Sequence, residues 1–323
     1  ASSSAASDVY KRQILGPLLF ILYINDITNA SNILEFVLFA DDTTILYSSE
    51  NIINEIPVIN KELSEISNWF KANKLSVNAS KTNYMIMGTP RMTSIEMSND
   101  SSLQSNGDII LDDTKLQRVT KTKFLGVIID ENLTWKNHID GISKTMSRNI
   151  GVINKVKYFM PERVLYTLYC TLVLPYLNYG ILVWGSACKT YLDKLFKLQK
   201  WAVRTISNSH YRCHSEPLFY KYEILNVYDS YKLEVGVFMY KFYIDVLPKP
   251  FDDFFTKRSD IHNYHTRNSS DYNQTRNRKV FTDQAVRTTG PILWNALNDH
   301  IKHVNSIKQF RKKLKQSLIS TYN

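Results

Sequence analysis

Cysteine is scarce in this chain: three in 323 residues (Cys170, Cys188 and Cys213), with no Cys-x-x-Cys pair. That excludes a disulfide framework and a zinc ribbon, and fits buried reduced thiols in a cytosolic or nuclear protein. His210, Cys213 and His214 lack the four-ligand spacing of a zinc knuckle, so no zinc is expected. Long apolar runs are missing as well. The run from Ile14 to Ile24 has eleven residues, well short of the roughly 20 that a bilayer-spanning helix needs. Lys11-Arg12 precede it as in a signal sequence, but Asn25-Asp26 follow without a small-residue cleavage site. A buried helix opened by Gly16-Pro17 is the better reading, and neither secretion nor membrane insertion is expected. Acidic residues thin out towards the C-terminus. Residues 1–130 hold 15 Asp/Glu against 11 Lys/Arg, residues 131–260 hold 12 against 18, and residues 261–323 hold 3 against 11. A basic second half behind an acidic first part suits a polyanion partner, although basic surface also serves solubility. No repeat of solenoid length is present.

What remains is a globular composition, with 44% hydrophobic and 22% charged residues, and a length suited to two or three packed units. Ile56, Ile59, Leu63, Ile66 and Phe70 recur at helical spacing and predict an amphipathic helix that packs on a core. Strands are expected at Tyr84–Met87, Ile109–Leu111, Leu116–Val119 and Phe124–Asp130, with a polar, turn-rich excursion over residues 89–108. Beyond Trp135 the pattern turns helical. Helices are expected over His138–Lys157, Pro161–Leu174 and Lys189–Ser207. The last of these places Leu192, Leu195, Phe196, Gln199 and Val203 on one side and Lys194, Lys197, Lys200 and Arg204 on another. Such a basic face is either merely solvated or lies along a nucleic-acid backbone. Pro248-Lys249-Pro250 marks a linker. Residues 257–280 interleave aromatics with Arg276, Arg278 and Lys279, as single-strand binding by stacking and charge requires, or as a disordered basic connector would. Phe310, Leu314 and Leu318 set the apolar side of a basic helix near the end.

The most informative tetrapeptide is Phe39-Ala40-Asp41-Asp42. It lies between two strand-forming runs, Phe36-Val37-Leu38 and Thr43-Thr44-Ile45-Leu46-Tyr47, and so predicts a hairpin with both aspartates at or near its turn. Hairpins ordinarily use Asn-Gly or Asp-Gly there. Two adjacent carboxylates gain nothing in turn chemistry and repel each other, which a bound divalent cation would relieve. Mg²⁺ favours carboxylates together with substrate phosphates. The plain alternative is a solvated turn, where Asp is common.

Four segments, in order, resemble the reverse transcriptases of non-LTR (LINE-type) retrotransposons of the jockey or CR1-like group. Ile14 to Asp26 resembles the second half of polymerase motif B, and Phe39-Ala40-Asp41-Asp42 resembles motif C. Leu75-Ser76-Val77-Asn78-Ala79-Ser80-Lys81-Thr82 resembles motif D, and Phe124-Leu125-Gly126-Val127 resembles motif E. The likeness continues through Trp135, His138, the segment Leu174 to Gly180, Trp184-Gly185 and Gly290 to Asn295. The resemblance implies an α+β fold: a partial right-hand palm of antiparallel sheet and helices over residues 14–130, a helical thumb or connection over 131–247, and a basic C-terminal region over 248–323. It implies Asp41 and Asp42 as catalytic metal ligands for Mg²⁺, or for Mn²⁺ in its stead. Lys81 would be the general acid for pyrophosphate, the alternative being a solvated cation. Phe124, Leu125 and Gly126 would form the primer grip, the alternative being plain core strand. Lys194, Lys197, Lys200, Arg204, Arg276, Arg278 and Lys279 would bind nucleic acid. The implied partners are an RNA template, a DNA primer or target DNA, and dNTPs, with no organic cofactor. The implied location is the cytoplasm and nucleus, as a ribonucleoprotein.

Two departures temper these expectations. The family's motif B begins Pro-Gln-Gly-Ser, whereas Tyr10-Lys11-Arg12-Gln13 stands there, behind a Ser/Ala-rich stretch, so residues 1–13 read as a leader foreign to the domain. The aspartate that completes the family's metal site lies upstream of that point. The chain is therefore expected to be a truncated polymerase, inactive alone, or else a non-catalytic nucleic-acid-binding remnant.

Overall fold

The computed structural model describes residues 15–50, 52–88, 108–261, 271–274 and 286–323. Two units divide between Lys121 and Thr122. In the first, α1 (Leu15–Ile24) runs into a 3₁₀ segment (Asn25–Ala30) and then the hairpin of β1 (Glu35–Phe39) and β2 (Asp42–Leu46). The long α2 (Ile52–Ala72) follows. Its apolar stripe is the one its spacing predicts: Ile59, Leu63 and Ile66 are buried with Ile24, Ile27, Leu34, Leu111 and Leu116, and Phe36, Leu38 and Ile45 pack against them. The strand expected at Tyr84–Met87 is only β3 (Asn83–Tyr84), paired in parallel with β6 (Gln117–Arg118). Between them β4 (Ile110–Leu111) and β5 (Thr114–Lys115) form a small hairpin. Asp112 and Asp113 both have positive φ (49° and 60°), as a two-residue type I′ turn demands.

One expectation fails in this unit. The apolar run at the start is a helix, but not a buried one: Leu18, Leu19 and Leu22 are 52%, 54% and 67% exposed, and only Ile24 is buried. Apolar composition gives a helix reason to be covered, yet coverage needs a facing element. Among the described residues, this unit supplies one only towards Phe20 and Ile24.

The second unit begins with another hairpin. The strand expected at Phe124–Asp130 is two strands, β7 (Lys121–Phe124) and β8 (Val127–Asp130). Leu125 and Gly126 have φ of 45° and 86°, so the chain reverses there instead of continuing. Asp130, itself buried, then accepts hydrogen bonds from the backbone N–H groups of Thr134 (3.0 Å) and Trp135 (3.0 Å) and from the Thr134 hydroxyl (3.1 Å). That clasp fixes the entry to α3 (Lys136–Val156), which buries Ile139, Ile142, Met146, Ile150 and Ile153.

After it come α4 (Glu162–Leu172), α5 (Leu174–Asn178), α6 (Ile181–Trp184), α7 (Lys189–Ile206), α8 (Glu216–Lys221) and α9 (Val227–Tyr243). Prolines punctuate as expected: Pro161 caps α4, and Pro175 opens α5, where its missing N–H costs nothing. Gln199 lies on the apolar side of α7 because it is fully satisfied there. It donates to the Leu225 carbonyl (3.2 Å) and accepts from the Val227 N–H (2.8 Å). Just after Pro248-Lys249-Pro250, the stretch read as a linker, Phe251 stacks edge-on against Phe238, and Phe255 does so against Phe238 and Phe242. The short α10 (Arg258–Ile261) precedes α11 (Val286–Ala296), α12 (Asp299–Lys302) and α13 (Ile307–Ile319). Phe310 and Leu314 of α13 are buried against α9, next to Gly236. Helices with small, mostly antiparallel sheets make this an α+β protein.

Carboxylate hairpin and basic helix groove

In the first unit Phe39 pairs with Asp42 across a two-residue turn of Ala40 and Asp41. Ala40 takes the positive φ (51°) that the turn requires, a conformation costing an alanine roughly 1–2 kcal/mol. The hairpin faces two ways, as alternation dictates. Phe36, Leu38 and Ile45 turn to the core, and Tyr47 beyond β2 joins them; Val37, Phe39, Asp42 and Leu46 are exposed, as is Asp41. It is tied to α2 by side chains. The Tyr47 hydroxyl donates to Glu55 (3.0 Å) and the Ser31 hydroxyl to Glu62 (2.6 Å), while Ser31 accepts from the Leu34 N–H (3.1 Å) just before β1. Asp41 and Asp42 thus stand at the exposed tip of an anchored hairpin.

Two neighbouring carboxylates suit a hard divalent cation in donor type, since such ions take oxygen ligands. They are a partial set. Among the described residues no group of three or more His, Cys, Asp or Glu side chains comes together. Lys81 is exposed in the turn Asn78–Thr82, where its N–H donates to the Asn78 carbonyl (3.0 Å). Among the described residues it makes no ion pair with either aspartate. Asp112 is accounted for elsewhere. Lys71 lies 2.6 Å from it and the Ser67 hydroxyl donates to it, and the Lys71 ammonium first and that hydrogen bond second hold its carboxyl below the usual range.

In the second unit Phe124, Leu125 and Gly126 form the end of β7 and the turn into β8. The four cations expected on α7 are not equivalent. Lys194 pairs with Asp140 of α3 (2.7 Å), Lys200 lies over the Phe196 ring (4.1 Å), and Arg204 donates to the Cys213 carbonyl (2.8 Å). Lys197 points outward and is exposed. Arg276, Arg278 and Lys279 lie outside the described residues. Against α7 runs α3, and between the two helices lies an open groove of about 840 Å³ lined by Ser143, Lys144, Ser147, Arg148, Lys194, Lys197 and Leu198. Lys144, Ser147 and Arg148 are exposed. Reading the sequence one helix at a time misses this second wall. Its signal is there nonetheless: Ser143-Lys144 and Ser147-Arg148 repeat at a spacing of four, opposite the buried Ile139, Ile142 and Met146. Cations on both walls, with hydroxyls on the α3 wall, are the groups that hold phosphate oxygens.

Both the carboxylate turn and the β7–β8 turn fall within residues 13–129, which match the reverse transcriptase (RNA-dependent DNA polymerase) family. Over this segment the chain is similar to that family. The chain is similar to known proteins beyond this segment as well. Over 236 residues, 70% of the chain, it is 22% identical to the probable RNA-directed DNA polymerase from transposon X-element of Drosophila melanogaster. Over 210 residues, 61% of the chain, it is 29% identical to the one from transposon BS of the same fly. Over 208 residues, again 61%, it is 24% identical to the RNA-directed DNA polymerase from mobile element jockey of Drosophila funebris. Those alignments are longer than the matched segment, so the likeness runs on into the helices. They cover 24%, 22% and 21% of the relatives' own lengths, so the chain spans about a quarter of each. No solved structure matches it.

One titratable group in the helical unit gives a pH signature. His138 is buried, and its Nδ1 accepts from the Ile128 N–H (3.2 Å), while its Nε2 has no hydrogen-bond partner among the described residues. Burial pushes the imidazole pKa down from its ordinary value near 6.5. The unfolded chain therefore takes up a proton below about pH 6.5 while the folded chain stays neutral, and stability falls as pH drops from there to the depressed folded value. Urea melts of the whole chain between pH 7.5 and 5.5 should show this limb for the second unit. His138→Asn, which keeps an acceptor near the Nδ1 position, should flatten it.

Proposed function

We propose that this chain carries the catalytic hairpin and duplex-binding helices of an RNA-directed DNA polymerase of the non-LTR retrotransposon type. The observation that carries this reading is the anchored turn presenting Asp41 and Asp42 together at an exposed tip, within a reverse transcriptase segment. In this reading both aspartates offer oxygens to divalent ions, Mg²⁺ before Mn²⁺, which supply neutralisation of the charge on the transferred phosphoryl group. Lys81 offers a proton to the departing pyrophosphate, and the Phe124–Gly126 turn holds the primer end. The groove between α3 and α7 holds the backbone of an RNA template paired with a DNA primer, and dNTPs are the substrates. A ribonucleoprotein of the cytoplasm and nucleus belongs to the same proposal; among the described residues no helix is long and apolar enough to cross a membrane.

Primer extension on an RNA template, with DNA primer, dNTPs and Mg²⁺, tests it. Any extension by this truncated chain should require the ion and should fall in Asp41→Asn to the level without it, while duplex binding persists. Extension indifferent to Asp41→Asn would remove the hairpin from the chemistry. A second reading, nucleic-acid binding without catalysis, is favoured by the absence of a third carboxylate beside Asp41 and Asp42 among the described residues. Salt-sensitive duplex binding by a chain that extends no primer is its signature.

A further inference from the structure

His138, Tyr179, Gly180 and Trp184 belong to the segments that carry the family likeness, yet nothing in the proposed chemistry uses them. The structure gathers them around one feature, the β7–β8 turn. The Tyr179 hydroxyl donates to the Leu125 carbonyl. The edge of its ring lies so close to Gly126 that a Cβ there would sit 3.1 Å from Cε1. Gly180, at φ 64°, brings its backbone against Val127, where a Cβ would meet Cγ2 at 3.0 Å. Trp184 donates from Nε1 to the Tyr179 carbonyl (2.8 Å) and meets the His138 ring edge-on at 5.7 Å. His138 in turn accepts from Ile128 of β8. Both strands' turn residues are therefore held by a chain of contacts that starts in the buried indole of Trp184 and ends at the Leu125 carbonyl.

Within that chain Tyr179 is unusual. It is 58% exposed, so core packing does not account for it, and its hydroxyl is spent on a carbonyl that solvent could satisfy. A hydrogen bond of this kind adds little to global stability; what it fixes is the orientation of the Leu125–Gly126 peptide. We propose that Tyr179 is a positioning residue for the Leu125–Gly126 turn, setting the surface on which the terminal nucleotide of a primer rests. The second half of this statement rests on the reading of that turn as the primer grip; the first does not.

Tyr179→Phe removes the hydroxyl and keeps the ring. Hydrogen exchange at the amides of residues 125–128 tests the positioning itself. It should speed up about five- to tenfold, the loss of one modest hydrogen bond, with the urea midpoint unchanged. A DNA primer on an RNA template, with 2-aminopurine as its last nucleotide, tests the primer contact. At saturation the terminal fluorescence should move towards that of the free duplex, while the duplex Kd stays within about twofold, because the phosphate contacts that dominate affinity are elsewhere. Unchanged exchange at 125–128, or a fall in the urea midpoint matching the exchange, overturns the positioning role. Altered exchange with unaltered terminal fluorescence, or no duplex binding by the unsubstituted chain, leaves the positioning in place and overturns the primer-grip half.

Discussion

Trp184→Ala is expected to lower the unfolding free energy of the helical unit by about 3–5 kcal/mol, the range for deleting a buried aromatic from a close-packed core. The indole is fully buried, in one cluster with Ile139, Leu177 and Ile181. Gly185, immediately after it, is so tightly packed that a Cβ would collide with the Ile181 carbonyl and meet the Tyr231 ring at 2.6 Å. Neighbours held that closely cannot collapse into the space the indole leaves, which puts the cost at the upper end. The loss is a large share of the roughly 5–15 kcal/mol that holds a domain folded. Urea titration followed by far-ultraviolet circular dichroism measures it. Trp184→Phe, which refills most of the volume but gives up the bond to the Tyr179 carbonyl, should cost well under half as much. Equal losses in the two variants would mean that the indole N–H, and not its volume, sets the stability.

The sequence made some of this architecture readable and concealed the rest for identifiable reasons. Periodicity located α2, α3 and α7 to within a few residues, because each buries a stripe at helical spacing. The Asp41–Asp42 hairpin was readable because strand-forming residues flank a charged pair that no helix or strand interior would accept. The turn at Leu125–Gly126 was not, since five apolar residues and a glycine in seven positions look like one buried strand. Only the positive φ at both positions, which the Tyr179 contacts stabilise from 54 residues away, reveals the reversal. Exposure of α1 was concealed in a similar way. Composition reports what a helix would gain by being covered, not whether a partner is present to cover it. The groove stayed hidden because its two walls lie some 50 residues apart, and each by itself is an ordinary basic face.

In that groove Lys144→Ala, Arg148→Ala and Lys197→Ala together are expected to weaken duplex binding about 10²–10³-fold at roughly 0.1 M salt, and to flatten the dependence of log K on log salt by nearly three. Each cation that neutralises a phosphate releases one counterion and adds about 0.9 to that slope on a B-form duplex. Lys194 is left out of the set for a reason visible in its surroundings. Asp140 lies 2.7 Å from its ammonium and already takes up part of its charge, so Lys194→Ala alone should cost less than Lys197→Ala. The same pairing predicts the opposite sign for a loss of charge on α3. Asp140→Asn releases Lys194 to the groove and should tighten binding several-fold, steepening the slope by somewhat less than one. Fluorescence anisotropy of a labelled RNA–DNA duplex between 50 and 300 mM salt reads all four variants. If Asp140→Asn leaves both affinity and slope unchanged, the backbone does not run between α3 and α7. A gain there alongside the triple loss would fix the groove as the track of the phosphates, because non-specific attraction to a protein of net charge +10 would barely register a single neutralised carboxylate.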